Sequence, residues 1–324
     1  MFTGFRSRFL VGAGVPVFAF ISLAAGCGKP HYVVAPDKPA TLAMPADRLT
    51  DNVILVSIDG LRPDAIAEYK AATLGRLVTE GSYTLSARTI LPSKTLPSHT
   101  SMLTGEPPER HGILWNNAFN DVPGTIEIPT VFSEARSRGY RTAAFFSKAK
   151  FSHLQRPGTL DYSQAPGGWF GRWSSSHTMD DVERYIASSK PNLLFVHLPD
   201  PDAAGHSAGW MSATYGRAVL KADTAVARLL KASDAAYGEG QYTIIVTADH
   251  GGHDNDHGSS DPRDVTIPWI AWGRGVIPGE LERNTVQTMD TASTALYLLG
   301  IERPDTWAGS PVRLAFKSAT VNTQ

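Results

Sequence analysis

The chain has a single cysteine, Cys27, so no internal disulfide can staple its fold. It also lacks an excess of either charge, with 30 Lys and Arg against 31 Asp and Glu and a formal net charge of -1. No global field therefore draws it to a nucleic-acid polymer or an acidic membrane, and any anion it binds must be held by a local arrangement of groups. Internal repeats are absent, and no second composition regime follows residue 48. What is present is a globular composition, 42% hydrophobic and 19% charged over 324 residues, which is enough to bury a large core.

At the N-terminus, Arg6 and Arg8 precede an apolar stretch from Phe9 to Gly26 that contains no acidic residue. That is the layout of an export signal over residues 1–26. Cys27 ends the segment Leu23-Ala24-Ala25-Gly26-Cys27, which resembles the lipobox of bacterial lipoproteins, with its leucine one place further away than usual. The resemblance implies cleavage before Cys27, a lipid on its thiol, and a membrane-anchored protein on the periplasmic or cell-surface side. A cleaved soluble protein and an uncleaved anchor are the alternatives. Gly28 lacks the aspartate associated with inner-membrane retention, which favours the outer membrane. Residues 27–47 contain Pro30, Pro36, Pro39 and Pro45 and read as an extended tether. Residues 48–318 read as one folded domain, and 319–324 as a tail.

Three short apolar runs each end in an acidic residue: Asn52 to Asp59, Asn192 to Leu198 followed by Asp200 and Asp202, and Tyr242 to Asp249. Apolar runs without polar alternation indicate strands covered on both faces, as in a parallel sheet flanked by helices. Between them, Pro63 to Glu80, Thr130 to Arg138, Met179 to Ser188 and Ala213 to Lys231 show helical spacing, and Pro63 suits a first helical turn. This alternation predicts an α/β doubly wound fold, a mostly parallel sheet with helices on both faces. Ligands of such sheets bind outside the carboxyl ends of the strands, so the terminal acids are expected to converge on one edge, and converging carboxylates imply a cation. Gly167 to Trp173 reads either as a loop over part of a cleft or as a surface loop with packed aromatics.

Asp202 and His206 stand four apart, a spacing that one helical turn brings to a single face. Further on, Asp249-His250-Gly251-Gly252-His253-Asp254-Asn255-Asp256-His257-Gly258 packs three histidines and three aspartates into ten residues. Any one of these histidines alone reads as a hydrogen-bonded loop residue; together with the three strand ends they read as a metal site. Mixed His and Asp donors suit zinc and, with no thiolate available, also admit manganese or iron. Between the first two strands lies Leu91-Pro92-Ser93-Lys94-Thr95-Leu96-Pro97-Ser98-His99, where Pro97 and the residues after it read as a helix start with Thr95 just before it. A hydroxyl there faces free N–H groups and the positive end of the helix dipole, where a phosphate binds. A simple helix cap is the alternative for Thr95.

Taken together, these segments resemble the alkaline phosphatase superfamily, and most closely its nucleotide pyrophosphatase/phosphodiesterase branch. The matching residues are Ser57-Ile58-Asp59-Gly60, Lys94 to His99, His111-Gly112-Ile113 with Asn116, Asp202 to His206, Asp249-His250-Gly251 and His257-Gly258. The stretches Ile267 to Gly273 and Met289 to Gly300 resemble the closing strand and helix of that family. The resemblance implies that Asp202, His206 and His257 hold one zinc, and that Asp59, Asp249 and His250 hold another, to which Thr95 also binds. His253 competes with His257, which is favoured because His257-Gly258 stands before the closing strand as the family pattern requires. The resemblance further implies that Thr95 is a nucleophile forming a phosphothreonine intermediate. Asn116 and the Thr95 N–H would hold a non-bridging oxygen, and the paired cations would clamp an in-line displacement. His99 and His111 fall inside matched motifs and read as structural.

The implied substrate is a small phosphate ester, with nucleotides among the candidates. Threonine cannot supply the oxidised nucleophile of a sulfatase. A monoesterase must meet a dianion, usually with arginine or a third metal, and the nucleophile motif contains no arginine, so Asn116 fits a monoanionic diester or a pyrophosphate better. A monoesterase is the first alternative, and a non-catalytic, metal-stabilised surface lipoprotein the second. Leu96 stands where nucleotide-cleaving relatives usually carry an aromatic that stacks on the base, which weakens the case for nucleotides. Trp115, Trp169, Phe170, Trp173 and Trp210 are other candidate platforms.

Overall fold

A computed structural model describes residues 30–35, 45–117, 126–168 and 171–318. The export segment, Cys27, Pro36 and Pro39 of the tether, Trp169, Phe170 and the tail 319–324 lie outside the described residues. The strands are β1 (His31–Val34), β2 (Val53–Ile58), β3 (Ser82–Arg88), β4 (Thr142–Phe145), β5 (Tyr162–Ala165), β6 (Leu193–Leu198), β7 (Thr243–Thr247), β8 (Thr266–Gly273) and β9 (Gly279–Glu280). The α-helices are α1 (Pro63–Glu68), α2 (Ala72–Glu80), α3 (Thr95–Thr104), α4 (Pro108–His111), α5 (Val131–Ser137), α6 (Ser175–Ser189), α7 (Asp200–Ala208), α8 (Ala213–Tyr237), α9 (Pro262–Val265) and α10 (Asp290–Leu298). Among the described residues, no helix is long and apolar enough to cross a membrane.

The strands form one sheet in the order β1-β5-β4-β6-β2-β7-β8-β3-β9. Its centre, β5-β4-β6-β2-β7, is parallel throughout. The sheet as a whole is mixed, because β8 runs antiparallel to both β7 and β3, and β1 runs antiparallel to β5. His31–Val34, inside the stretch read as a tether, thus lies at the edge of the sheet beside β5. Strands β2, β6 and β7 are buried at every residue, as continuous apolar runs require when both faces are covered. Their register aligns Ile58 with Leu198 and Ser57 with both His197 and Thr247, so the three chains leave the sheet level with one another.

The helical stretch read as Pro63 to Glu80 is two helices, broken where Lys70 adopts a left-handed φ of 53°. The N-cap of α2, Ala71, has no side-chain acceptor, and the N–H groups of Thr73 and Leu74 bond instead to the Asp223 carboxylate of α8, at 3.1 and 2.7 Å. Asp223 is buried, so truncating it strands two donors. Asp223→Ala is expected to cost about 1–3 kcal/mol, measured as a lower urea midpoint with an unchanged slope. An unchanged midpoint would mean that the start of α2 finds other partners.

Candidate metal centre and nucleophile

Three loops leaving β2, β6 and β7 carry the acids. Asp59 follows β2, Asp202 lies in the first turn of α7 after β6, and Asp249 follows β7. Gly60 makes this convergence possible. Its φ is +71°, and a Cβ there would stand 2.9 Å from the Asp202 Cα, so only glycine lets the β2 loop pass the start of α7. Its N–H donates to Asp249 Oδ1 at 3.1 Å, and its carbonyl accepts from Trp210 Nε1 and the Tyr215 hydroxyl, each at 2.9 Å.

The ligating atoms of Asp59, Asp249 and His250 form one group, and those of Asp202, His206 and His257 a second, with the atoms of each group within 4.8 Å of one another. The second group contains His257 and not His253, whose Nδ1 bonds to Asp264 Oδ1 at 2.7 Å. The helical spacing of Asp202 and His206 is realised in α7, where His206 Nε2 lies 3.3 Å from Asp202 Oδ1. His257 Nε2 is 3.1 Å from His206 Nε2 and 3.6 Å from Asp202 Oδ1. In the first group, His250 Nε2 is 3.4 Å from Asp59 Oδ1 and 3.2 Å from Asp249 Oδ2. Tetrahedral ligands at bond lengths of about 2.0–2.1 Å sit about 3.3 Å apart, so both groups have the edge lengths of a cation cage. The groups are neighbours, since the rings of His250 and His257 stack at 3.6 Å with 10° between planes.

Polar atoms around the groups are arranged to match. Asp59 Oδ1, Asp202 Oδ1 and Asp249 Oδ2 are buried without a hydrogen-bond partner, whereas the other oxygen of each carboxylate is held by the protein. Each ligand histidine has its Nδ1 on a backbone carbonyl: His206 on Asn255, His250 on Gly251 and His257 on Ser93, at 2.8–2.9 Å. Such bonds fix the tautomer and leave Nε2 unprotonated, as a metal ligand must be. Orphaned anionic oxygens in a buried site are costly unless a cation meets them. The residues present therefore fit a divalent cation in each group.

One cation of the protein's own enters the cluster. The ammonium of buried Lys148 lies 2.6 Å from both Asp59 Oδ2 and Asp202 Oδ2. Burial alone would raise the pKa of Asp59, but Lys148 and then the hydrogen bond from His197 outweigh it and hold Asp59 well below the ordinary carboxylate value. Asp249 has no such partner, and burial followed by the charge of Asp59 pushes it well above that value. Lysine 148 thus compensates one of three carboxylates and leaves two to be met by other cations. His197 on β6 receives the Ser147 N–H at Nδ1 and donates from Nε2 to Asp59 Oδ2 at 2.8 Å. Trp210 packs edge-on against His206 and His257, with ring centres 5.2 and 5.8 Å away.

Thr95 is the first residue of α3 rather than the residue before it, and it caps nothing. Its Oγ1 instead lies 3.5 Å from His250 Nε2, beside the first group. Every residue of α3 is buried, which fixes the hydroxyl in place. His99, one turn on, donates from Nδ1 to the Thr95 carbonyl at 2.8 Å and receives Ser57 Oγ at Nε2. His111 Nε2 bonds to Ser101 Oγ at 3.0 Å, away from both groups.

The Asn116 side chain lies at the same helix start as Thr95. Its Oδ1 accepts from the Leu96 N–H at 3.0 Å and from Lys150 Nζ at 2.9 Å. Burial and then the charge of Lys148 push the Lys150 pKa down to about 8. Leu96 itself is fully buried and offers no stacking face. Trp115 is half-buried, and Trp173 lies against His177.

Lys148, Lys150 and His197 escaped the sequence reading. The lysines follow β4, a fourth parallel strand that ends on the same edge of the sheet. The rule that placed the three acids, ligands beyond carboxyl ends of strands, would have found them had Thr142–Phe145 been read as a strand.

A family model for type I phosphodiesterase / nucleotide pyrophosphatase matches residues 53–265. Among curated proteins, GPI ethanolamine phosphate transferase 1 of Yarrowia lipolytica is 26% identical over 340 residues, covering 88% of this chain and 35% of the transferase. The bis(5'-adenosyl)-triphosphatase enpp4 of Mus musculus is 25% identical over 224 residues, covering 64% of this chain and 48% of that enzyme. The chain thus spans less than half the length of these two relatives. Among solved structures, murine ectonucleotide pyrophosphatase/phosphodiesterase 5 superposes with a TM-score of 0.66 at 15% identity, covering 78% of this chain and 96% of that one. With two thirds of its length matched across both cation groups and Thr95, the chain belongs to the type I phosphodiesterase / nucleotide pyrophosphatase family.

Proposed function

We propose that the chain hydrolyses phosphodiester or nucleotide pyrophosphate bonds by transferring the phosphoryl group to Thr95. The observation that carries this reading is a pair of adjacent cages whose orphaned oxygens and Nε2 atoms await cations, with the Thr95 hydroxyl 3.5 Å from a member of one of them. Asp202, His206 and His257 would hold one divalent cation and Asp59, Asp249 and His250 the other, zinc suiting the donors best. When bound, such a pair lowers the pKa of a nearby hydroxyl and offsets charge on the departing oxygen. Thr95 Oγ1 attacks phosphorus, the bond to the leaving oxygen breaks, and a phosphothreonine forms. Water then attacks that phosphorus and restores the threonine. Asn116, with its Oδ1 occupied by two donors, presents its Nδ2 hydrogens to a non-bridging oxygen.

The test is turnover of a p-nitrophenyl nucleotide diester by zinc-loaded protein starting at Ala46. Release of p-nitrophenol together with the nucleoside monophosphate is the expected result, and no turnover with zinc or manganese would sink the reading. A second outcome, transfer to an acceptor other than water, is favoured by the similarity to the Yarrowia lipolytica ethanolamine phosphate transferase. Phosphorylated ethanol or glycerol formed in the presence of those alcohols would identify it.

A further inference from the structure

The segment Ser147-Lys148-Ala149-Lys150 brings two lysines to one edge of the sheet, and their surroundings differ. Lys148 is spent on Asp59 and Asp202. Lys150 has no carboxylate within ion-pair distance among the described residues. Among the described residues its ammonium bonds to the side-chain and backbone oxygens of Asn116, at 2.9 and 3.4 Å. A half-buried ammonium resting on a neutral amide next to the helix start of Thr95, with no directly paired carboxylate among the described residues, leaves room for an anion to complete it. The case for a monoanionic substrate rested on the lack of a positive charge in the nucleophile motif. That charge arrives instead from β4.

We propose that Lys150 is a specificity-determining residue whose ammonium meets the second negative charge of a phosphoryl dianion, extending the site from diesters to phosphate monoesters. The proposal rests on the reading that Thr95 attacks a phosphoryl group held beside Asn116. A diester offers one anionic oxygen and a monoester two, so a cation beside Asn116 discriminates between them, whereas the cages themselves serve both. Charge-assisted bonds of this kind are about twice as strong as neutral ones, and the substrate carrying the extra charge gains more from them.

The experiment compares kcat/KM for p-nitrophenyl phosphate and for bis-p-nitrophenyl phosphate in the zinc-loaded protein, Lys150→Gln and Lys150→Arg. The wild-type protein is expected to turn over both esters. Lys150→Gln is expected to lower the monoester-to-diester ratio by about 10- to 100-fold, and Lys150→Arg to restore most of it. Inhibition of diester turnover by inorganic phosphate should weaken in parallel. Metal content and Tm of each variant separate a specificity effect from misfolding. An unchanged ratio, or a wild-type protein inert toward the monoester, would overturn the role of Lys150. Thr95→Ala distinguishes the two layers: its loss of both activities upholds the nucleophile whatever Lys150 does, and its retention of them removes the reading on which Lys150 rests.

Discussion

Thr95→Ala is expected to lower turnover of every ester substrate by about 1,000-fold or more, with both cations still bound. The magnitude follows from what the hydroxyl does. In the proposed mechanism it is the atom to which the phosphoryl group is transferred, and no neighbour replaces it. His250 Nε2, at 3.5 Å, faces the first cation group, and the ring's Nδ1 is engaged by the Gly251 carbonyl. The cages persist because none of their six other ligands depends on Thr95 for its orientation. His250, His206 and His257 are held by backbone carbonyls, and Asp59 by Lys148 and His197. Two measurements check the outcome together: single-turnover release of p-nitrophenol and metal content by emission spectroscopy. Full activity would eliminate the threonine mechanism, and loss of one metal equivalent with the hydroxyl would make Thr95 a ligand first. Thr95→Ser should retain measurable turnover and, on quenching in acid, a trapped phosphoserine.

The second large effect is that of the cations on the fold. Asp59, Asp202 and Asp249 lie within a few ångströms of one another, and Lys148 contacts the first two and not the third. Chelation leaves the orphaned oxygens in the interior without water, so the folded state should loosen at this edge of the sheet. At free metal about 1,000-fold above Kd, each occupied site contributes about 4 kcal/mol. In a domain of this size 1 kcal/mol moves Tm by roughly 2–4 °C. Emptying both cages is therefore expected to lower Tm by more than about 10 °C and to abolish turnover. Dipicolinate followed by scanning calorimetry reads the first, and re-addition of zinc reads the second. An apo-protein that melts at the same temperature as the zinc form would mean that these residues bind no structural charge.

How much of this was legible depended on the physical signal each residue leaves in the sequence. Strands β2, β6 and β7 announce themselves because both faces are covered, which removes polar alternation and leaves unbroken apolar runs. Asp59 and Asp249 are legible as the first polar residues after such runs. Asp202 and His206 are legible because four residues make one helical turn. By contrast, β4 is four residues long with two alanines, too short and too bland to separate from a helix fragment, so Lys148 and Lys150 went unnoticed. His197 sits inside an apolar run, where a histidine reads as filler until the strand beside it proves to end in Asp59. The expected start of α3 at Pro97 was two residues inside the observed one, within the ordinary spread for helix ends, yet the shift turns Thr95 from a candidate cap into a hydroxyl facing His250. The partner of Asn116 could not be read at all, because it depends on two loops and β4 meeting in space.

Asp59, Asp202 and Asp249 follow neighbouring parallel strands, while Thr95 arrives on α3, a separate helix docked onto them through Ser98 Oγ and the Asp249 carbonyl at 2.7 Å. On the proposed mechanism, one part of the gene encodes where charge is held and another which atom attacks. A change at position 95 would then alter the attacking group while leaving the orientation of the cage residues to their own partners.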